Sequence, residues 1–142
     1  MKKHWPNKTL DELEGVKTKI IRNDSYLLMT CSRLRAKKPL NEFEIEDLRI
    51  LIGQSIGLKF LIPLAIEELE KNILAEGHYY EGDLFHSVTF SDANYWKENK
   101  EQWNQVCTIF DKNLELLESF GRIAKVKSDW FPHYNDFLKI HS

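Results

Sequence analysis

The stretch LNEFEIEDLRILIGQSIGLKFLIPLAIEELEK, residues 40–71, decides the fold class of this chain. Apolar residues in it and just after it recur at intervals of three and four, first as Ile45, Leu48, Ile52 and Ile56, then as Ile66, Leu69 and Ile73. This spacing places each set on one face of a helix. Asn41 with Glu44 forms a capping pattern before the first helix. Gly57 ends or bends that helix, and Pro63 suits the first turn of the second.

The residues before this stretch predict two more helices. Thr9 with Glu12 three residues later is a capping box for a short helix that stops at Gly15. A longer helix is predicted to begin after residue 23 or 24 and to end by Lys38, because a proline follows. Its expected inner face carries Tyr26, Leu27, Cys31 and Leu34.

The residues after this stretch predict two further helices. The longest runs from about Lys97 to Phe120, and a short terminal helix carries Tyr134, Phe137 and Leu138. We expect Gly77 to end the preceding helix in the left-handed conformation. Residues 78–94 lose the helical period and form either a short helix with loops or a brief hairpin. The sequence therefore predicts an all-α fold, a single compact domain of about six helices over residues 1–142.

Composition bounds the class of protein further. A chain of 142 residues with 42% hydrophobic residues can bury its own core, and it needs no metal or disulfide for stability. The opening MKKHWPNKTLDEL has no apolar region typical of a signal peptide, and the most apolar stretch, residues 50–66, is a poor membrane span. We expect a cytoplasmic protein in which Cys31 and Cys107 are free thiols, although a disulfide between them stays open.

The net charge of −2 conceals a strong asymmetry along the chain. Residues 1–38 hold ten Lys or Arg and four Asp or Glu, whereas residues 39–96 hold three and eleven. The near-neutral total argues against a nucleic-acid binder that works through bulk charge. The acidic middle instead favours an oppositely charged partner.

Two alternative functions rest on small groups of residues. Four residues have side chains that suit a divalent metal ion and would support a metal-dependent hydrolase: His78, Glu81, Asp83 and His86. Their spacing matches no HExxH-type motif, and on one helix the two histidines would lie too far apart to share an ion. A nucleic-acid contact could use the basic start, through Lys2, Lys3, Lys8, Arg33, Arg35, Lys37 and Lys38. We expect no cofactor, no bound metal and no catalysis.

A binding surface is the remaining interpretation of the irregular segment. Its aromatic residues, Tyr79, Tyr80, Phe85 and Phe90, stand among the acidic residues Glu76, Glu81, Asp83 and Asp92. Aromatic side chains supply contact area at a low entropic cost, and carboxylates pair with cations on a partner.

The block PLNEFEIEDLRILIGQSIGLKFLIPLAIEEL, followed by AEGHYYEGDLF, resembles the immunity proteins of bacterial contact-dependent growth inhibition (CDI) systems. TLDELEG at residues 9–15 and CSRLRAKKPL at residues 31–40 fit the same family. The resemblance implies a bacterial cytoplasmic antitoxin that binds the C-terminal toxin domain of a CDI effector in a 1:1 complex. Such toxins are commonly nucleases, often RNases, which the immunity protein inhibits by covering the active site or the substrate-binding face. On this basis the candidate toxin-binding residues are Glu76, His78, Tyr79, Tyr80, Glu81, Asp83 and Asp92.

Overall fold

A computed structural model describes residues 4–119 and 131–141 and shows an all-α architecture. Its α-helices are α1 (Leu10–Glu14), α2 (Tyr26–Lys37), α3 (Ile45–Gly53), α4 (Leu58–Lys71), α5 (Asp83–Phe90), α6 (Ala93–Glu98), α7 (Lys100–Ser119) and α8 (Phe131–Leu138). Short 3₁₀ helices cover Leu40–Glu42 and Lys139–His141. Over the described ranges there is no β-strand, only an isolated bridge between Thr9 and Pro39.

Helix α3 lies at the centre of the packing. It contacts α2, α4 and most extensively α5, while α5 in turn contacts α8. Helices α3 and α5 run in the same direction, because Arg49 in the middle of α3 lies beside Asp83 at the start of α5, and Ser55 just after α3 contacts Asp92 just after α5. The most deeply buried large side chains form one continuous core that includes Phe43, Leu51, Ile62, Phe85, Trp96 and Phe137.

Most of the predicted helix signals are confirmed. Thr9 and Glu12 form a reciprocal capping box, and Gly15 ends α1 with a left-handed φ of 69°. Helix α2 ends before Lys38, as the following proline requires. The segment predicted as a short helix or hairpin forms α5 and α6 instead of a hairpin. The predicted longest helix is α7, which begins three residues later than expected, at Lys100; Phe120 lies outside the described residues.

Four local predictions are wrong. The cap of α3 is Glu44, which exchanges hydrogen bonds with Asp47, so Asn41 plays no part in it. Pro63 lies inside α4 beyond its first turn, because Gly57 adopts a left-handed φ and starts the helix at Leu58.

The other two concern Gly77 and Tyr26. The left-handed residue of the loop after α4 is Gly82, with φ 87°, while Gly77 keeps an ordinary backbone. Tyr26 is 64% exposed and does not join the core, because it occupies the solvent side of the first turn of α2.

Candidate functional site

Asp83, the first residue of α5, holds the preceding loop of residues 72–82, which connects α4 to α5. One carboxylate oxygen of Asp83 accepts a hydrogen bond from the backbone N–H of Gly77 at 2.7 Å. The other accepts the N–H groups of Tyr79 at 3.1 Å and Tyr80 at 3.4 Å. Asp83 is only 3% exposed, so its charge is used to fix the shape of the loop.

An ion pair on α3 anchors the same loop from outside. Arg49 donates two hydrogen bonds of 2.6 Å to the Glu46 carboxylate, which also accepts the backbone N–H of His78 at 2.9 Å. Burial raises the pKa of Glu46, but the hydrogen bonds from Arg49 and His78 outweigh it and leave the pKa below its ordinary value. Conversely, the hydrogen bond to Glu46 raises the pKa of Arg49.

Gly77 allows this close approach of loop and helix. A Cβ atom at Gly77 would lie 2.5 Å from Oε1 of Glu46, an oxygen already committed to two hydrogen bonds. A larger residue at this position would displace the Glu46 carboxylate from these hydrogen bonds, so glycine favours the close approach of the loop to α3.

Aromatic side chains stand exposed on the surface that this anchoring creates. Tyr79 is 69% exposed, and the Arg49 guanidinium lies 4.4 Å from the centre of its ring. Phe90, at the end of α5, is 59% exposed. Between them lies an open depression of about 280 Å³, the α3–α5 groove, lined by Arg49, Gly53, Tyr79, Tyr80, Asp83, His86, Ser87 and Phe90.

A residue from α8 packs behind the α3–α5 groove, against two of the side chains that line it. The hydroxyl of Tyr80 lies 2.5 Å from Nδ1 of His86, and the His86 ring stacks on His133 with 5.0 Å between the ring centres. The rings of Phe90 and His133 are 4.1 Å apart. These contacts join α8 to the groove.

The family model described as CDI immunity proteins matches residues 12–106, about two thirds of the chain. The chain belongs to the CDI immunity protein family. No curated protein and no solved structure matches it. The matched range contains α3, the loop of residues 72–82 and α5, whereas His133 lies beyond it.

Most of the residues predicted to bind toxin are exposed on the surface of the immunity protein. Glu76, His78, Tyr79, Glu81 and Asp92 are exposed, and Tyr80 is half-buried. Asp83 is buried in its loop contacts and Phe85 in the core. Five of the predicted toxin-binding residues lie on the loop of residues 72–82. Asp92 lies beyond the other end of α5, a helix about 12 Å long.

The carboxylates near the loop form a group that we call the acidic face, consisting of Glu44, Glu76 and Glu81. All three are exposed, and Glu44 and Glu76 line a small depression of about 180 Å³ together with His78. Glu44 belongs to this surface because α3 begins beside the loop. Asp92 is separate from it, since it lies just after the other end of α5, where its carboxylate accepts the N–H of Asn94 at 3.1 Å.

Arg49, Gly53, Glu44 and His133 are site residues that the sequence did not predict. The spacing of Glu46 and Arg49, three residues apart on a helix, is the local signal that could have found the ion pair. His133 has no such signal, because it meets His86 only through the tertiary packing of α8 on α5.

The described residues do not support the metal-site hypothesis. Within residues 4–119 and 131–141, no three His, Cys, Asp or Glu side chains group closely enough to hold a metal ion. Asp83 faces its own loop, His86 faces Tyr80, and His78 lies near Glu46. Three of the four residues that the hypothesis requires are therefore turned to different partners.

The basic start of the chain is partly paired with acids. Lys38 contacts Asp47 at 2.7 Å, and Arg35 lies 3.6 Å from Glu14. Lys8, Arg33 and Lys37 are exposed, while Lys2 and Lys3 lie outside the described residues. Among the described helices, none combines the length and apolarity needed to cross a membrane.

Proposed function

We propose that this immunity protein neutralises a nuclease, the C-terminal toxin domain of a CDI effector, by binding it 1:1 and covering its active site. Residues 1–142 would act as one domain in the bacterial cytoplasm, without a cofactor and without catalysing a reaction. The observation that carries the proposal is the acidic face beside the exposed ring of Tyr79. Membership of the family supports a toxin as the partner.

Charge complementarity is the first physical reason for choosing this surface. A nuclease binds phosphate groups and therefore presents a cationic cleft. Carboxylates on an inhibitor can occupy such a cleft in place of the substrate's phosphates, and they also accelerate encounter with it. Glu44, Glu76 and Glu81 are exposed and surround a loop whose own buried charges are already paired.

Rigidity of the loop is the second reason. Asp83 and Glu46 between them accept four backbone N–H groups of residues 77–80. A loop that is ordered before binding loses little conformational entropy on complex formation. Tyr79, exposed and packed on Arg49, is consequently suited to act as a pre-positioned aromatic anchor.

Calorimetric titration of the toxin domain tests the electrostatic part of the proposal. We expect the affinity to fall as salt is raised, because the Debye length shrinks from about 10 Å at 0.1 M to about 3 Å at 1 M. Replacing Glu76→Lys and Glu81→Lys together should weaken binding at least tenfold, a loss of about 1.4 kcal/mol.

A matched variant on another surface controls for the change in net charge. Glu70→Lys with Glu101→Lys reverses two exposed acids that line a depression between α4 and α7. This double variant should bind the toxin domain with nearly the affinity of the natural protein. Equal losses in the two double variants, or an affinity insensitive to salt, would show that the acidic face does not make the contact.

A further inference from the structure

The segment of residues 16–22, VKTKIIR, is an unusual feature of this helical protein. It connects α1 to α2 and runs for seven residues without a helix, turn or bend. Val, Thr and Ile occupy four of its seven positions, and these β-branched residues favour extended backbone. The segment therefore has the shape and composition of a strand.

Two buried side chains hold the segment in place. Asp11 of α1, 6% exposed, accepts the N–H of Thr18 at 2.7 Å and its hydroxyl at 2.6 Å. Ser32 of α2, 4% exposed, accepts the N–H of Ile21 at 2.9 Å. The segment is thus fixed at two points against the body of the molecule, and its conformation does not depend on a neighbouring strand.

The outer edge of this segment is unpaired. Throughout the described part of the chain, no backbone–backbone hydrogen bond involves residues 17–22. In an extended chain the N–H groups of alternate residues share an edge, so those of Lys17 and Lys19 lie opposite the edge on which Asp11 holds Thr18, and they receive no side-chain acceptor there either. Such an edge is a template for a further strand unless something covers it.

Exposed apolar side chains concentrate around the same segment. Of the six large hydrophobic residues exposed in the described ranges, four fall between residues 16 and 28, namely Val16, Ile21, Tyr26 and Leu28. Exposed apolar area of this kind marks an interaction surface more often than scattered single residues do.

The charge around the segment is positive. Lys17, Arg22 and Lys37 line a depression of about 500 Å³ between α1, the segment and the end of α2. The two carboxylates on that depression are engaged, Asp11 by Thr18 and Glu12 by the capping box of α1. Lys19 adds a further exposed cation.

We propose that residues 16–22 are a docking edge to which a partner protein adds one extended strand with carboxylates at alternate positions. Main-chain hydrogen bonds would supply the pairing, and Lys17 and Lys19, which share one face of the extended segment, would select the acidic partner. A second copy of this chain is disfavoured, because antiparallel self-pairing brings lysine and arginine side chains of the two copies together. This edge is separate from the acidic face and does not depend on the proposed function.

Nuclear magnetic resonance on the ¹⁵N-labelled full chain tests the proposal, with the peptide Ac-Glu-Val-Glu-Val-Glu-NH₂ as the probe. The expected result is saturable amide shifts within residues 16–22, with slowed hydrogen exchange confined to Lys17 and Lys19. The peptide Ac-Lys-Val-Lys-Val-Lys-NH₂ should give neither effect. Absence of shifts in this segment at millimolar acidic peptide would overturn the proposal.

Charge-swapped variants separate strand docking from nonspecific attraction. Lys17→Glu with Lys19→Glu should lower the affinity for the acidic peptide at least tenfold and allow the lysine peptide to bind. Lys100→Glu with Lys112→Glu, a matched change of two exposed lysines on α7, should leave acidic-peptide binding unchanged.

Two further results would also contradict the proposal. One is that single-stranded RNA shifts these amides while the acidic peptide does not. The other is that sedimentation shows a dimer in which the segment is already protected from exchange.

Discussion

At the scale of single residues, the buried carboxylate of Asp83 holds the candidate toxin-binding loop in one conformation. It accepts three backbone N–H groups and lies 3.8 Å from Arg49. Asp83→Asn replaces one acceptor oxygen with a donor and removes the charge, so we expect the free energy of unfolding to fall by about 2–3 kcal/mol. Urea denaturation measures this loss.

The control for that substitution is Glu81→Gln, two residues away. Glu81 is exposed, and its replacement should change stability by no more than about 0.5 kcal/mol. Similar losses in the two variants would mean that Asp83 does not hold the loop.

Replacing each of two glycines with alanine should change stability in opposite directions. A methyl group at Gly77 would meet Oε1 of Glu46 at 2.5 Å, so Gly77→Ala should destabilise the protein by about 1–3 kcal/mol. A methyl group at Gly53 would lie 3.5 Å from the Ser87 hydroxyl, an ordinary contact, at a helical position. Gly53→Ala should therefore stabilise α3 by up to about 1 kcal/mol. Thermal unfolding of both variants shows whether their midpoints move in opposite directions.

The sequence predicted those features whose partners are local. The capping box of Thr9 and Glu12 spans three residues and appears as expected. The prediction for Pro63 is wrong because a local rule places proline in a first turn, whereas α4 begins at Leu58, directly after the left-handed Gly57.

The candidate site could be predicted only in part. Its exposed aromatic and acidic residues are contiguous in sequence, and that signal located the loop. The burial of Asp83, the anchoring of His78 on Glu46 and the stacking of His86 on His133 all depend on elements distant in sequence. Periodicity and capping rules carry no information about such contacts.

At the scale of helices and loops, the ion pair on α3 makes the anchoring of the loop depend on pH. The pKa of Glu46 in the folded protein lies below its pKa in the unfolded chain, which is about 4.3 for a glutamate. Stability from this group is fully present above that value and is lost as pH falls toward the folded pKa. We expect Glu46→Gln to reduce the fall in unfolding free energy between about pH 5 and pH 3. Urea unfolding at several pH values compares the two slopes, and parallel slopes would contradict the prediction.

The α3–α5 groove can be filled without disturbing the packing of its two helices. Gly53 is exposed, and the nearest side chain to a Cβ placed there is Ser87. Gly53→Trp should occupy much of the 280 Å³ depression and weaken toxin binding on the order of 100-fold, since a partner side chain could no longer enter. Calorimetric titration measures this change, and thermal unfolding checks that the variant remains folded.

Gly53→Ala is the matched control for the groove. Its methyl group leaves the depression open, so toxin affinity should stay close to that of the natural protein. Unchanged affinity in folded Gly53→Trp would show that the toxin does not use the α3–α5 groove.

At the scale of the whole molecule, the immunity protein depends on a helix outside the range that the family model matches. That range ends at residue 106, but α8 buries Tyr134 and Phe137 in the common core. The Phe137 ring lies edge-on to Trp96 with 5.0 Å between ring centres. Its backbone carbonyl accepts a hydrogen bond from the indole of Trp103 at 2.8 Å. The helix is therefore part of the folding unit.

Phe137→Ala tests whether α8 and the groove are energetically one structure. Phe137 is 1% exposed, so its truncation should cost about 3–5 kcal/mol in the free energy of unfolding, whereas Asn135→Ala on the exposed side of α8 should cost less than about 0.5 kcal/mol. Because α8 carries His133 against His86, loosening it should also speed hydrogen exchange in α5. If Phe137→Ala left both the unfolding midpoint and the exchange of α5 unchanged, α8 would be an appendage that does not support the α3–α5 groove.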